Sequence, residues 1–262
     1  MNLTILIPIY IIIFLYGIVV GSFLNVCIYR IPKKENIAII RSHCMTCNYQ
    51  LQWYDNIPLF SWIFLGGKCR KCKAPISPQY PIVEASNGLL WLLVFWANGV
   101  TTQSGTFNID SLLYCFLVSA LLVLSVIDFR TYEIPIGINI FILALGLIMS
   151  VIHYTDWLSH VIGFFAVSIP LYIIILVTNG RGIGGGDMKL MAVAGLMLGW
   201  KLAILSFALG CIIGAPIHLL RMRIAKADRV LAMGPYLSIG IFISALWGNQ
   251  LIELYLRTVG LA

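Results

Sequence analysis

Charged residues are scarce in this sequence. Only 10% of its 262 residues are Asp, Glu, Lys or Arg, whereas 60% are hydrophobic. Soluble globular domains carry about 25% charged residues. The composition therefore excludes a water-soluble enzyme and predicts an all-α polytopic membrane protein.

Features of a nucleic-acid-binding protein are also missing. The formal net charge is +7, but the sequence has no basic-aromatic groove and no recognisable nucleic-acid module. The basic residues instead cluster in short loops, as expected for the cytoplasmic loops of a membrane protein. We therefore expect a lipid bilayer as partner, and no nucleic acid.

The N-terminus lacks the basic region of a signal peptide. Leu3 to Ile28 is an uncharged stretch longer than a signal-peptide core, and Arg30, Lys33 and Lys34 follow it directly. This pattern predicts a retained first span with its N-terminus outside. Small residues in this span, such as Gly17 and Gly21, predict the close approach of another helix.

Seven later apolar stretches bring the predicted number of membrane helices to about eight. They are Ile82–Gly99, Leu112–Ile127, Ile136–Ile152, His160–Thr178, Met188–Trp200, Leu202–Leu220 and Tyr236–Leu256. The polar loop 29–80 holds nearly half of the basic residues and is predicted to be cytoplasmic, with both termini outside. We expect three parts: a first transmembrane helix (1–28), a cytoplasmic domain (29–80) and a multi-helix membrane domain (81–262).

The loop 29–80 contains two CxxC pairs, formed by Cys44, Cys47, Cys69 and Cys72. Two such pairs supply four thiolates for a closed tetrahedral zinc site, which is typically structural. Two disulfides are the alternative, but the cytoplasm is reducing. The aromatic segment Trp53–Trp62 between the pairs has two interpretations, a small core packed over the zinc or a surface that grips a substrate or cofactor.

One predicted span, Met188–Trp200, is too short to cross the hydrocarbon core of a bilayer. Its 13 residues give about 20 Å of helix, against a hydrocarbon core of about 30 Å. A short helix that starts at the glycine-rich turn Arg181–Lys189 predicts water or a thinned bilayer near Asp187. A carboxylate beside apolar spans indicates a functional site, although a solvated Asp in a flexible turn is the alternative.

A second carboxylate, Asp128, lies where another span reaches the same predicted face. Two carboxylates at one depth indicate an aspartyl protease dyad, in which like charges held close together share one proton. A helix-end salt bridge with Arg130 is the alternative for Asp128 alone. The sequence shows no catalytic arrangement of histidines and no Ser or Cys in the context of a nucleophile.

In these features the sequence resembles the type IV prepilin peptidase family. The similarity covers Gly21–Val26 and Tyr29–Pro32, the cytoplasmic loop from Arg41 to Glu84, the GxGD signature Gly184–Asp187, and the closing segment Gly234–Leu237. The resemblance implies an aspartic endopeptidase of the bacterial inner membrane that works at the cytoplasmic face. It implies Asp128 and Asp187 as the catalytic pair, and prepilins and type II secretion pseudopilins as substrates.

Members of this family with the four-cysteine loop also N-methylate the new amino terminus with S-adenosylmethionine, so the resemblance implies a bifunctional enzyme. It also links Gly67 to methyl transfer, although a tight turn into the zinc site is the alternative. Glu84 is a candidate substrate or cofactor contact, with simple stabilisation by a helix N-terminus as the alternative. The remaining candidate contacts are Gly184, Gly186 and Lys189. Three other hypotheses stay open. They are a peptidase whose zinc domain is only structural or recognises substrate, a transporter, and a non-catalytic scaffold.

Overall fold

The computed structural model describes residues 3–39, 41–102, 104–180, 183–225 and 231–260. Arg181 and Gly182 of the glycine-rich turn lie outside the described residues, as do Lys226 and Arg229. The described residues form no strand and ten α-helices: α1 Leu3–Arg30, α2 Phe60–Phe64, α3 Gln79–Asn98, α4 Ile109–Thr131, α5 Ile136–Ile152, α6 Trp157–Ala166, α7 Ser168–Val177, α8 Gly185–Leu198, α9 Trp200–Ala225 and α10 Gly234–Val259.

Six helical segments among the described residues are long and apolar enough to cross a membrane. They comprise α1, α3, α4, α9, α10 and the combined segment Tyr154–Val177, which contains α6 and α7. The prediction of an all-α polytopic membrane protein is therefore confirmed. The predicted total of eight depends on two shorter helices, α5 with 17 residues and α8 with 14.

The chain divides into two compact units, Met1–Trp96 and Ala97–Ala262. In the first unit, α1 packs against α3 at a separation that only glycine allows. A Cβ atom on Gly17 would lie 2.8 Å from Gly88 Cα, and one on Gly21 would lie 2.8 Å from Glu84 Cα. The Asn87 side chain crosses this contact and donates a 2.7 Å hydrogen bond to the Gly17 carbonyl. The predicted close helix approach at Gly17 and Gly21 is confirmed.

The aromatic segment of the first unit does not form a small core. Trp53 is 78% exposed and Phe64, just beyond the segment, 84% exposed, so these rings do not pack over the cysteines. Trp62 is the exception, since its indole N–H donates to the Ile76 carbonyl at 3.2 Å.

The second unit is built around the short helix α8. All nine residues from Leu190 to Leu198 are buried, and α8 packs mainly against α6 and α5. Helix α6 crosses α8 at two glycines: a Cβ on Gly195 would lie 2.1 Å from the Gly163 carbonyl oxygen. The short helix is thus shielded by protein, which explains how a segment of about 21 Å is accommodated in a membrane protein.

Candidate active site

Asp128 lies in the last turn of α4. Its side chain is held from the start of α10, where the Gly234 N–H donates a 2.9 Å hydrogen bond to Oδ2. The residue is only 4% exposed. Helix α4 ends just beyond it, because Tyr132 adopts a left-handed conformation with φ of 55° and its N–H donates to the Asp128 carbonyl.

Gly234 is required at this contact because a side chain would collide with the carboxylate. A Cβ atom there would lie 2.7 Å from Asp128 Oδ2. Pro235 follows in the first turn of α10, a position where proline needs no N–H partner and favours helix initiation. The start of α10 is therefore shaped to present one backbone donor to Asp128.

Asp187 lies in the first turn of α8, before the predicted span Met188–Trp200. Burial, and then the negative charge of Asp128, raise the pKa of Asp187 to about 7, although a backbone hydrogen bond from Gly184 opposes the rise. The two carboxylates are thus near enough for one charge to act on the other.

The glycine-rich turn also contacts the segment that follows α4. A Cβ on Gly186 would lie 3.0 Å from Ile134 Cβ, so a side chain at this position would push the two segments apart. Gly184 and Lys189 are exposed. Lys189 borders a groove of about 330 Å³, together with Met188 on the same helix.

The four cysteines of the two CxxC pairs, which belong to the first unit, lie in two turns with the same backbone pattern. In the first turn, the Cys44 N–H donates to the Tyr49 carbonyl, and the Asn48 N–H donates to the Cys44 carbonyl. The second turn repeats these bonds with Cys69 in the position of Cys44: the Cys69 N–H donates to the Ala74 carbonyl, and the Lys73 N–H donates to the Cys69 carbonyl. Each turn is completed by a residue with positive φ, Asn48 or Lys73.

The two turns bring the four sulfur atoms together. All four Sγ atoms lie within 4.8 Å of one another, and those of Cys44 and Cys72 are 3.8 Å apart. Backbone N–H groups of Cys47 and Thr46 lower the pKa of the Cys44 thiol to about 6, which favours its thiolate. The pKa of the Cys72 thiol is instead raised to about 11, because a backbone hydrogen bond from Ala74 is outweighed by desolvation and by the other three thiols. The cluster can therefore hold a metal ion.

Glu84 connects α3 to the loop between the two cysteine turns. Its Oε2 accepts a 2.7 Å hydrogen bond from the Leu59 N–H. Leu59 has φ of 62° and ψ of −55°, and the Phe60 N–H donates to the Pro58 carbonyl across it. This is a γ-turn with positive φ, a rare and strained conformation for a leucine.

Gly67 fits closely over Trp62. Gly67 has φ of +67°, and a Cβ atom there would lie 2.9 Å from the indole ring. Glycine satisfies both the backbone conformation and the contact.

Sequence reasoning missed the roles of two residues of these sites. Gly234 was part of a family segment, but a backbone donor that holds a carboxylate has no sequence signature. Leu59 has no preference for positive φ.

Comparison with known proteins relates the whole chain to one group. The model described as Bacterial Peptidase A24 N-terminal domain matches residues 15–98, and the model described as Type IV leader peptidase family matches residues 115–219. No solved structure matches the chain with statistical significance.

Curated relatives with the name prepilin leader peptidase/N-methyltransferase match over nearly their full lengths. The protein of Stutzerimonas stutzeri is 34% identical, with 92% of this chain and 91% of the relative covered. That of Pseudomonas aeruginosa is 33% identical, with 94% and 93% covered, and that of Aeromonas hydrophila is 32% identical, with 93% and 92% covered.

Proposed function

Since the chain belongs to the type IV leader peptidase family, we propose that it removes the leader peptides of prepilins and pseudopilins and then N-methylates the new amino terminus. The methyl donor is S-adenosylmethionine. The enzyme is a multi-pass protein of the bacterial inner membrane, and its peptidase site faces the cytoplasm. The basic loop 29–80 supports this orientation, because cytoplasmic loops carry an excess of Lys and Arg.

The observation that carries the peptidase proposal is that the buried Asp128 and the half-buried Asp187 lie near enough for the charge of Asp128 to raise the pKa of Asp187. A pair of carboxyl groups that shares one proton can use its ionised member as the general base for water. The protonated member polarises the scissile carbonyl. We assign neither role to either residue, because such a dyad titrates as a unit.

Backbone donors support this chemistry. Gly234 donates to Asp128 and Gly184 donates to Asp187, so both carboxyl groups are oriented without using a second charged residue. The start of α8 adds the positive end of a helix dipole beside Asp187, and Gly184 and Gly186 keep the turn free of side chains.

The pH dependence of cleavage tests the dyad. Because the pKa of Asp187 is raised to about 7, the pair keeps its shared proton at lower pH and loses it as the pH rises through about 7. We expect kcat/KM for a model prepilin to fall about tenfold per pH unit above this value. A profile measured from pH 6 to 9 checks this, and constant activity across that range would contradict it.

We propose that the four cysteines bind a structural zinc ion. A tetrahedron with metal–sulfur distances of about 2.3 Å has an edge of about 3.8 Å, which equals the separation of Cys44 Sγ and Cys72 Sγ. Four protein ligands leave no open position on the metal, so the ion would fix the two cysteine turns of the loop 29–80 and take no part in the chemistry.

We assign methyl transfer to the part of the protein that contains this loop, and peptidase activity to residues 81–262.

Metal analysis of purified protein tests the zinc proposal. We expect about one zinc ion per chain in the wild type and about none in Cys69→Ser, because three thiolates hold structural zinc much less tightly than four. Cys211→Ser is the matched control, since Cys211 lies in α9 and is not a member of the cluster. Full zinc occupancy in Cys69→Ser would refute the assignment.

Mass spectrometry of a model prepilin, incubated with the enzyme and S-adenosylmethionine, tests the function as a whole. The expected product has lost its leader and gained the mass of one methylene group at its new N-terminus. Cleavage without this gain would retain the peptidase and assign only a structural or recognition role to the zinc domain.

A further inference from the structure

A cavity of about 390 Å³ lies in the first unit. Its volume is within the range of about 300–1,000 Å³ that is usual for small-molecule sites. Residues of α1, the cysteine-bearing loop and the start of α3 line it, and all of them belong to Met1–Trp96. Neither Asp128 nor Asp187 is among the residues that line the cavity.

Asn25, one of the residues that line the cavity, has a side-chain oxygen atom without a partner. Asn25 is 3% exposed, and its Oδ1 has no hydrogen-bond partner among the described residues. Its Nδ2 donates to the carbonyl groups of Gly21 and Tyr80. Because both of these partners are acceptors, the amide orientation is fixed and Oδ1 is the atom that is left without a hydrogen-bond donor. A buried acceptor without a donor is costly, which indicates that a ligand supplies the donor.

A second lining residue carries a buried carboxylate. Glu84 is 6% exposed and uses one oxygen to hold the strained turn at Leu59. Strained backbone is retained at functional sites, where it fixes the position of neighbouring groups. The contact at Leu59 therefore keeps the aromatic loop closed against the Glu84 side of the cavity.

The rest of the lining is suited to a zwitterion with an aromatic ring. Asp55 and Arg70 form an ion pair of 2.7 Å in which the Asp55 side chain is almost fully buried. The cavity also has a lining arginine and four aromatic side chains: Arg30, Phe23, Tyr29, Trp62 and Tyr80. Aromatic rings stack on flat heterocycles and attract cations, while guanidinium groups recognise carboxylates.

We propose that this cavity binds S-adenosylmethionine, with Glu84 and Asn25 supplying the oxygen atoms that recognise its cationic groups. The ligand carries a sulfonium, an amino acid group and an adenine ring, which correspond to the carboxylate, guanidinium and aromatic groups of the lining. The inference rests on the proposed methyl transfer and adds the location and the recognising residues.

The group transfer is balanced without a further reactant. The unprotonated terminal amine of the cleaved pilin forms a bond to the methyl carbon as the carbon–sulfur bond breaks, and that electron pair stays on sulfur. The positive charge passes from sulfur to nitrogen, which then releases a proton to water. The uncharged thioether product has lost its attraction to the Glu84 carboxylate, which favours its release.

Equilibrium dialysis of the full-length protein in detergent with radiolabelled S-adenosylmethionine tests the proposal. Three variants alter the cavity in different ways. Glu84→Gln removes the charge but keeps an acceptor for Leu59, Asn25→Leu removes the unpaired oxygen, and Ser61→Trp fills the space. We expect each to weaken binding by at least about tenfold.

Two controls make the same kinds of change elsewhere. Glu253→Gln removes an exposed carboxylate that pairs with Arg257, and Ser104→Trp adds an indole to an exposed loop. Both are expected to bind like the wild type, and the zinc content of each variant reports whether the first unit is folded.

The possible outcomes distinguish an error in the proposed binding site from an error in the proposed methyltransferase function. Wild-type affinity in folded Glu84→Gln and Ser61→Trp would overturn the location while leaving methyl transfer intact. A wild type that neither binds the donor nor methylates its product would overturn the location together with the methyltransferase proposal.

Discussion

Asp128→Asn and Asp187→Asn are each expected to lower leader cleavage by about 10²- to 10⁴-fold, the contribution usual for a general acid or base. Asparagine has the same shape as aspartate but cannot exchange the proton that the dyad shares. At position 128 it still offers an oxygen to the Gly234 N–H, which donates to Asp128 at 2.9 Å in the wild type. The substitution therefore tests the chemistry rather than the packing. Mass spectrometry of a model prepilin gives the initial rates.

Asp110→Asn is the matched control. Asp110 lies on the same helix α4 but in its first turn, where its Oδ2 lies 3.0 Å from His153 Nε2. We expect cleavage close to the wild-type rate. If Asp128→Asn or Asp187→Asn also retained the wild-type rate, the two-aspartate mechanism would be wrong.

Gly195→Ala is expected to destabilise the second unit by about 3 kcal/mol or more, at the upper end of overpacking effects. The added Cβ would lie 2.1 Å from the carbonyl oxygen of Gly163. A backbone atom cannot rotate away as a side chain can, so α6 and α8 would have to separate. Elsewhere in a helix the same change is stabilising by about 0.5–1 kcal/mol. The close crossing of α6 and α8 therefore makes a normally stabilising substitution destabilising. Thermal unfolding in detergent measures the change.

Gly137→Ala in α5 serves as the comparison, because a Cβ at Gly137 would meet no atom within 4 Å. It is expected to leave stability unchanged or to raise it slightly. Equal melting temperatures for Gly195→Ala and the wild type would disprove the close crossing of α6 and α8.

The features that the sequence predicted best are those in which residue type alone limits the possibilities. Few carboxylates lie near apolar spans, so Asp128 and Asp187 could be selected as candidates before any geometry was known, and their catalytic role stays a prediction. The two CxxC pairs predicted a sulfur cluster because each pair forms its own tight turn, and the four sulfurs are indeed together.

Contacts made by the backbone between distant segments could not be predicted. Gly234 is 106 positions from Asp128, and nothing in its residue type shows where its N–H points. Leu59 is the central residue of a γ-turn, which its residue type does not indicate, and a long-range hydrogen bond to Glu84 holds this turn. The short length of α8 was predicted from the sequence. Its shielding by α5 and α6 could not be predicted, because it depends on contacts between helices.

The central position of α8 has a consequence for how the protein is made. A helix of 14 residues is too short to be recognised as a span by itself, since spans need about 20 apolar residues. It must therefore enter the bilayer together with neighbours that are synthesised both before and after it. The donor for Asp128 arrives later still, with α10. The proposed peptidase site is thus completed only after α10 has been inserted, and a nascent chain would carry both aspartates without being able to cut.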